Sequence, residues 1–229
     1  MAISQSQLTK LGERLKQELT PADLRLLDEY RRSFTDASDE VVGVIRSKLN
    51  IQATVRSAKS TQAIIEKLRR QSVRLGQIQD IAGCRIVVEA LAHQDVAVNQ
   101  LRDAFPGCHL DDRRVKPSHF YRAVHLIVKT QDRWVEIQVR TALQHLWASL
   151  SEKLADEFGN EIKYGLGHSK SLTLLEKFAA YVEAREELSH DTSLKLTSDE
   201  LALLAPLAAG QGVKLIEQRG AGFAPQEDS

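Results

Sequence analysis

The stretch Tyr121–Thr141, YRAVHLIVKTQDRWVEIQVRT, decides how the rest of the chain is read. In its first half Val124, Leu126 and Val128 share one side of an extended strand, and Tyr121, Ala123, His125 and Ile127 share the other. In its second half Val135, Ile137 and Val139 oppose Trp134, Glu136, Gln138 and Arg140. This alternation predicts a β-hairpin in which each strand gives one face to a core and lines up a more polar row on the other. An acid, an amide, a guanidinium, an imidazole and a phenol on one face have the composition of a site. The same residues also suit the solvent face of a half-buried hairpin, and the alternation alone leaves both readings open.

Working outward, the hairpin is followed by a helix with Leu143, Leu146, Trp147, Leu150 and Leu154 at core spacing, then by a helix from about Leu172 to Leu188. Upstream, Cys84–Val88 is β-branched enough for a buried strand, led in by a turn between Gly76 and Gly83. His93–Phe105 and Thr61–Arg70 have helical periodicity, and Ile51–Val55 alternates as a short strand. The N-terminal fifty residues are helical in pattern: Leu8, Leu11, Leu15 and Leu19 form a stripe, and Thr20-Pro21-Ala22-Asp23 starts a second helix. A third runs from Glu40 to Leu49 after a break at Ser33–Asp39. The order of elements predicts an α+β fold, a mixed β-sheet flanked by helices.

The 229 residues carry equal numbers of Lys+Arg and Asp+Glu, 31 each, so the net charge is zero. That argues against a protein that coats nucleic acid or anionic membrane by bulk charge. Two cysteines are too few for a disulfide scaffold and lack zinc spacing, which points to a reducing, cytoplasmic setting. No secretory leader or membrane-spanning stretch is visible.

Charge is nevertheless segregated. Between Arg46 and Gln79 stand eight basic residues (Arg46, Lys48, Arg56, Lys59, Lys67, Arg69, Arg70, Arg74) against the single acid Glu66. A second basic block, Arg113, Arg114, Lys116, Arg122, Lys129, Arg133 and Arg140, surrounds the hairpin, while acids collect after Glu152. Two basic blocks flanking a sheet with embedded carboxylates suit a polyphosphate together with Mg²⁺, which takes one or two carboxylates. Glu136 is the leading carboxylate. Asp80, in the turn before the Cys84 strand, reads equally as a turn former or as a metal ligand beside Arg85.

Three segments, DIAGCRI (Asp80–Ile86), PSHFYRAVH (Pro117–His125) and EIQVRT (Glu136–Thr141), resemble in order and spacing the synthetase motifs of RelA/SpoT-type pyrophosphokinases. The similarity covers about Asn50 to Gly165, and the length is that of a small, stand-alone member. The resemblance implies a nucleotidyltransferase-like synthetase domain that transfers the β,γ-pyrophosphate of ATP to a ribose 3′-hydroxyl of GDP or GTP, releasing AMP. It implies that Asp80 and Glu136 hold Mg²⁺, with Glu136 also activating the hydroxyl. Arg85 would stack on adenine, and Lys59, Lys67 and Arg56 would bind ATP phosphates. Tyr121 would stack on the acceptor base, with Lys116, Arg122, His125, Gln138 and Arg140 on the acceptor side.

Some positions depart from the family pattern. Phe120 stands where many members have Gly, Arg56 lies three residues before Lys59 where the usual spacing is two, Ala63 replaces a frequent Ser, and Ser151 a frequent Glu. Relatives that act as toxins on the tRNA 3′ end or make an adenosine alarmone, held by an antitoxin, share the chemistry and form the alternative reading. A degenerate nucleotide-binding module is a further one. His190-Asp191 is a lone dipeptide, not a hydrolase remnant. The expected segments are a helical extension at 1–49, the synthetase core at 50–165, C-terminal helices at 166–210 and a flexible tail at 211–229. The Leu8–Leu19 and Leu172–Leu188 stripes serve either a homo-oligomer or packing within the chain.

Overall fold

The computed structural model describes residues 3–17, 19–187 and 196–211. The tail from 212 onward and the His190-Asp191 dipeptide lie outside the described residues. Contacts divide the chain into two compact units, one from Met1–Lys116 with Arg122–Thr141 and one from Pro117–Tyr121 with Ala142–Ser229.

The first unit opens with α1 (Gln5–Leu15), α2 (Pro21–Arg32) and α3 (Thr35–Leu49). Ser4 and Thr20 begin α1 and α2 as capping boxes, each satisfying backbone N–H groups that the first turn leaves without partners. α3 starts at Thr35, earlier than the sequence break suggests. Ser33 closes α2 by donating from Oγ to the Tyr30 carbonyl at 2.7 Å, and only Ser33 and the buried Phe34 separate the helices.

Then follow β1 (Thr54–Arg56), α4 (Thr61–Arg70), β2 (Ala82–Val88), α5 (Leu91–Ala104), β3 (His109–Asp112), β4 (Val124–Thr130) and β5 (Arg133–Thr141). The strands form one mixed sheet in the order β1-β2-β5-β4-β3. β2 and β5 pair in parallel at its centre, and the other pairs are antiparallel. The expected hairpin is β4–β5, but Tyr121 is not part of it. Its backbone N–H donates to Ser118 O at 3.0 Å, closing a turn before the strand begins. β2 starts at Ala82, so Gly83 is a strand residue and not the end of a turn.

The two faces of the sheet have opposite characters. Cys84, Ile86, Val124, Leu126, Val128, Val135, Ile137 and Val139 pack against Val41, Val42 and Ile45 of α3 and Ala97, Val98 and Leu101 of α5. Register places Arg56, Gly83, Arg85, His125, Glu136, Gln138 and Arg140 on the other face. A second core joins Leu8, Leu11 and Leu15 of α1 to Leu27 of α2, Ile64, Ile65 and Leu68 of α4, and Ile78 and Ile81 ahead of β2.

The second unit contains α6 (Ala142–Phe158), α7 (Ser169–Glu187) and α8 (Ser198–Gly210). Trp147, Leu150, Leu154, Leu174, Leu175, Phe178 and Val182 build its core, and the Trp147 indole donates to Leu175 O at 2.9 Å. The apolar stripes of α1 and α7 are thus both used inside the chain. Among the described residues no helix is long and apolar enough to cross a membrane.

Gly83 faces Glu136 in the central parallel pair, and a Cβ there would collide with the Glu136 carbonyl oxygen. Gly83→Ala is expected to lower the free energy of unfolding by about 1–3 kcal/mol, as overpacking does in a well-packed core. Urea unfolding measures it, and an unchanged midpoint contradicts so close an approach of the strands.

Candidate active site

The candidate site is assembled from the polar face of the sheet and the loop that leads into β2. Glu136, Gln138 and Arg140 alternate along β5, with His125 beside them on β4, and all four are at most 6% exposed. The row is therefore not a solvent face. The hairpin alternation did not reveal this, because polar side chains repeat with the same period whether they face water or one another.

Glu136 is the hub. Oε1 accepts from His125 Nδ1 at 2.9 Å, and Oε2 accepts from Arg56 Nη1 at 3.0 Å and from Gln138 Nε2 at 2.6 Å. Arg140 Nη2 in turn donates to Gln138 Oε1 at 3.0 Å. Burial pushes the Glu136 carboxyl up, but the hydrogen bond and charge of His125, the Arg56 charge and the Gln138 bond outweigh it and hold the value at about 2.

Asp80 is the second carboxylate. Its oxygens accept separately, Oδ2 from Lys59 Nζ and Oδ1 from Lys67 Nζ, each at 2.8 Å. Burial raises its pKa, and the two ammonium charges more than reverse that, so it lies below the ordinary aspartate range. α4 positions Lys67, and a backbone bond from Lys59 N to Ile81 O at 2.8 Å ties the Lys59 loop to the residue after Asp80.

The structure brings together Arg56, His125, Glu136, Gln138 and Arg140 in one hydrogen-bonded row and Lys59, Lys67 and Asp80 in a second cluster. Arg56, expected on ATP phosphate, has its guanidinium on Glu136. Arg85 stands beside Gln138 in the β2–β5 register, Arg122 just ahead of β4, and Lys116 in an exposed turn. Tyr121 belongs to the second unit, where its ring packs 6.2 Å from that of Trp147. Gln94 was missed from sequence. Fully buried on α5, it donates from Nε2 to Val139 O at 2.8 Å and so anchors β5 between Gln138 and Arg140. A glutamine inside an apolar helical stripe was its one signal.

The cysteines are poor nucleophile candidates. Burial pushes the Cys84 thiol up to about 12, on the apolar side of the sheet, and raises Cys108 as well.

Residues 56–156 match the family model described as a region found in RelA / SpoT proteins. An uncharacterised protein of Mycobacterium tuberculosis is 39% identical over 135 residues, which cover 56% of this chain and 48% of that one. GTP pyrophosphokinase YwaC of Bacillus subtilis is 28% identical over 158 residues, covering 59% of this chain and 72% of that one. The chain spans about half the length of the first of these relatives. Among solved structures, small alarmone synthetase 1 of Bacillus subtilis bound to its product pppGpp matches with a TM-score of 0.53 and 24% identity, covering 72% of this chain and 93% of that one. A GTP pyrophosphokinase family protein of Streptococcus pneumoniae matches with a TM-score of 0.55 and 19% identity, covering 84% and 98%. Residues 56–156, under half of the chain, are thus similar to the region found in RelA / SpoT proteins. The chain's mixed sheet with flanking helices is the α+β fold of the small alarmone synthetases.

Two predictions follow from the site's geometry. The depressed carboxyls bind fewer protons folded than unfolded, so their stabilisation is complete above the ordinary carboxylate value and is lost as pH falls through about 2 for Glu136. Glu136→Gln should flatten the acid limb of urea-measured stability by about 3 kcal/mol, and parallel limbs in variant and parent refute the clamp.

The turn before Tyr121 holds His119 at φ 50° and Phe120 at φ 69°, a region costly for a bulky residue and free to glycine. Phe120 is 43% exposed and so has limited packing to lose. Phe120→Gly should therefore raise stability by up to about 1 kcal/mol. A lowered melting temperature contradicts that.

Proposed function

We propose that the chain is an ATP-dependent pyrophosphokinase that transfers the β,γ-pyrophosphate of ATP to the ribose 3′-hydroxyl of GDP or GTP, giving (p)ppGpp and AMP. The hydroxyl oxygen bonds to the β-phosphorus as the bond from that phosphorus to the α,β-bridging oxygen breaks. AMP leaves, and the hydroxyl proton is released. Such transfer asks a protein for positioning and charge neutralisation more than for covalent chemistry.

The observation that carries the reading is the pair of ionised carboxylates, Glu136 and Asp80, each held by cationic or hydrogen-bonding side chains on the RelA/SpoT motifs. A curated relative named GTP pyrophosphokinase supports it. In this assignment Lys59 and Lys67 serve ATP phosphate and Arg85 the adenine, while Arg56 braces Glu136. Tyr121 serves the acceptor base, and Lys116, Arg122 and His125 the acceptor side. The synthetase core is assigned to 50–165.

Two ionised carboxylates are hard oxygen donors and fit Mg²⁺, which commonly takes one or two carboxylates and completes its shell with phosphates and water. Among the described residues no cluster of three or more His, Cys, Asp or Glu offers an all-protein metal cage. In this reading the cation is shared with the nucleotide, and Asp80 and Glu136 would be its protein ligands. Bound there, Mg²⁺ supplies charge neutralisation at the phosphates.

The test is transfer of label from γ-labelled ATP with Mg²⁺ to GDP, GTP, an adenine nucleotide or tRNA. Label on GDP and GTP with an equal yield of AMP is expected. Label confined to tRNA or to the adenine nucleotide replaces the acceptor, and no transfer to any of them overturns the reading.

A further inference from the structure

The alternation of β5 puts Glu136, Gln138 and Arg140 on one face, about 6.6–7 Å apart in sequence pairs, within reach of one another through long side chains. They use that reach: Arg140 bonds to Gln138, and Gln138 bonds to Glu136. The sequence resemblance puts both Gln138 and Arg140 on the acceptor. The Gln138 amide spends both of its ends within the row, on Arg140 and on Glu136, and that argues for another task.

The chain of bonds has one possible direction. A guanidinium only donates and an ionised carboxylate only accepts, so the Gln138 amide between them must turn Oε1 to Arg140 and Nε2 to Glu136. Flipping it would set oxygen against oxygen at Glu136 and nitrogen against nitrogen at Arg140. Arg140 and Glu136 together fix the amide's orientation: Arg140 anchors Oε1, and Nε2 meets Oε2 of Glu136 at 2.6 Å. Arg56 reaches the same oxygen from β1 and His125 holds the other from β4, so the carboxylate is gripped from three strands.

We propose that Gln138 and Arg140 are positioning residues that serve the transfer reaction through Glu136, not by touching the acceptor. The proposal rests on the pyrophosphokinase reading. Without Arg140 the amide loses the bond that anchors its Oε1 and can swing away from Glu136, and the carboxylate then loses one of the donors that define its place. Misplacement of a reacting group by about 1 Å costs on the order of a hundredfold in rate.

The experiment uses the full chain. Arg140→Met should lower kcat by about 10- to 100-fold while KM for GDP and ATP stays within about twofold, the mark of an interaction realised in the transition state. Arg140→Lys, which keeps a donor toward Oε1, should recover most of the loss. In parallel, ¹⁵N-edited NMR of the Gln138 side-chain amide should show protons shifted and protected from exchange in the parent and in Arg140→Lys, with both features lost in Arg140→Met.

A raised KM for GDP at unchanged kcat in Arg140→Met overturns the proposal in favour of direct acceptor contact. So does a Gln138 amide that is indifferent to Arg140. A parent that transfers no label fails the pyrophosphokinase reading itself, and the amide measurement separates that failure from failure of the Arg140–Gln138 link.

Discussion

A carboxylate taken out of water must be repaid by partners, and the Glu136 side chain sets the terms for much of this molecule. Left alone in the sheet it would neutralise itself by binding a proton. Arg56 from β1, His125 from β4 and Gln138 from its own strand keep it charged. Arg56 arrives through the β1–β2 and β2–β5 pairings and His125 through β4–β5, so the grip requires β1, β2, β5 and β4 to stand in one register. The tightest element of that register is the approach of Gly83 to the Glu136 backbone. A buried ion cluster of this kind is weak ground for stability as such, since apolar residues of equal volume often do as well. Its value lies in a fixed charge at a fixed place.

The two faces of the sheet divide the labour. α3 and α5 cover the apolar face and supply the core that makes the strands rigid, while the other face is left to hydrogen-bonded polar groups. Gln94 links the two tasks by holding the Val139 carbonyl from the helix side. The Asp80 cluster is built differently, from a loop and a helix packed on the second core through Ile64, Ile65 and Leu68. Lys67 is delivered by the polar face of the same helix whose apolar face makes that core.

Most of the architecture was legible because period and caps are local. The hairpin showed in alternation, α2 in Thr20-Pro21 and Asp23, and α4 in its Ile64, Ile65 and Leu68 spacing. β3 was not, because His109-Leu110-Asp111-Asp112 is a short edge strand rich in polar residues, and its identity comes from pairing with β4. The start of α3 was misplaced because Ser33 looks like a break and is in fact the cap of the preceding helix. At the site, the residue types of the polar row were readable and its burial was not. That the Arg56 guanidinium is spent on Glu136 depends on a contact 80 residues away in sequence, which spacing cannot encode.

The central claim is that Glu136 is held as a charge for chemistry and not for nucleotide affinity. Single-turnover transfer from saturating Mg²⁺ and ATP to GDP by Glu136→Gln, with binding of a non-hydrolysable ATP analogue measured on the same protein, tests it most directly. The account predicts analogue binding within a few-fold of the parent and transfer reduced by about a hundredfold or more. Transfer at the parental rate in a variant that still binds the analogue would contradict it.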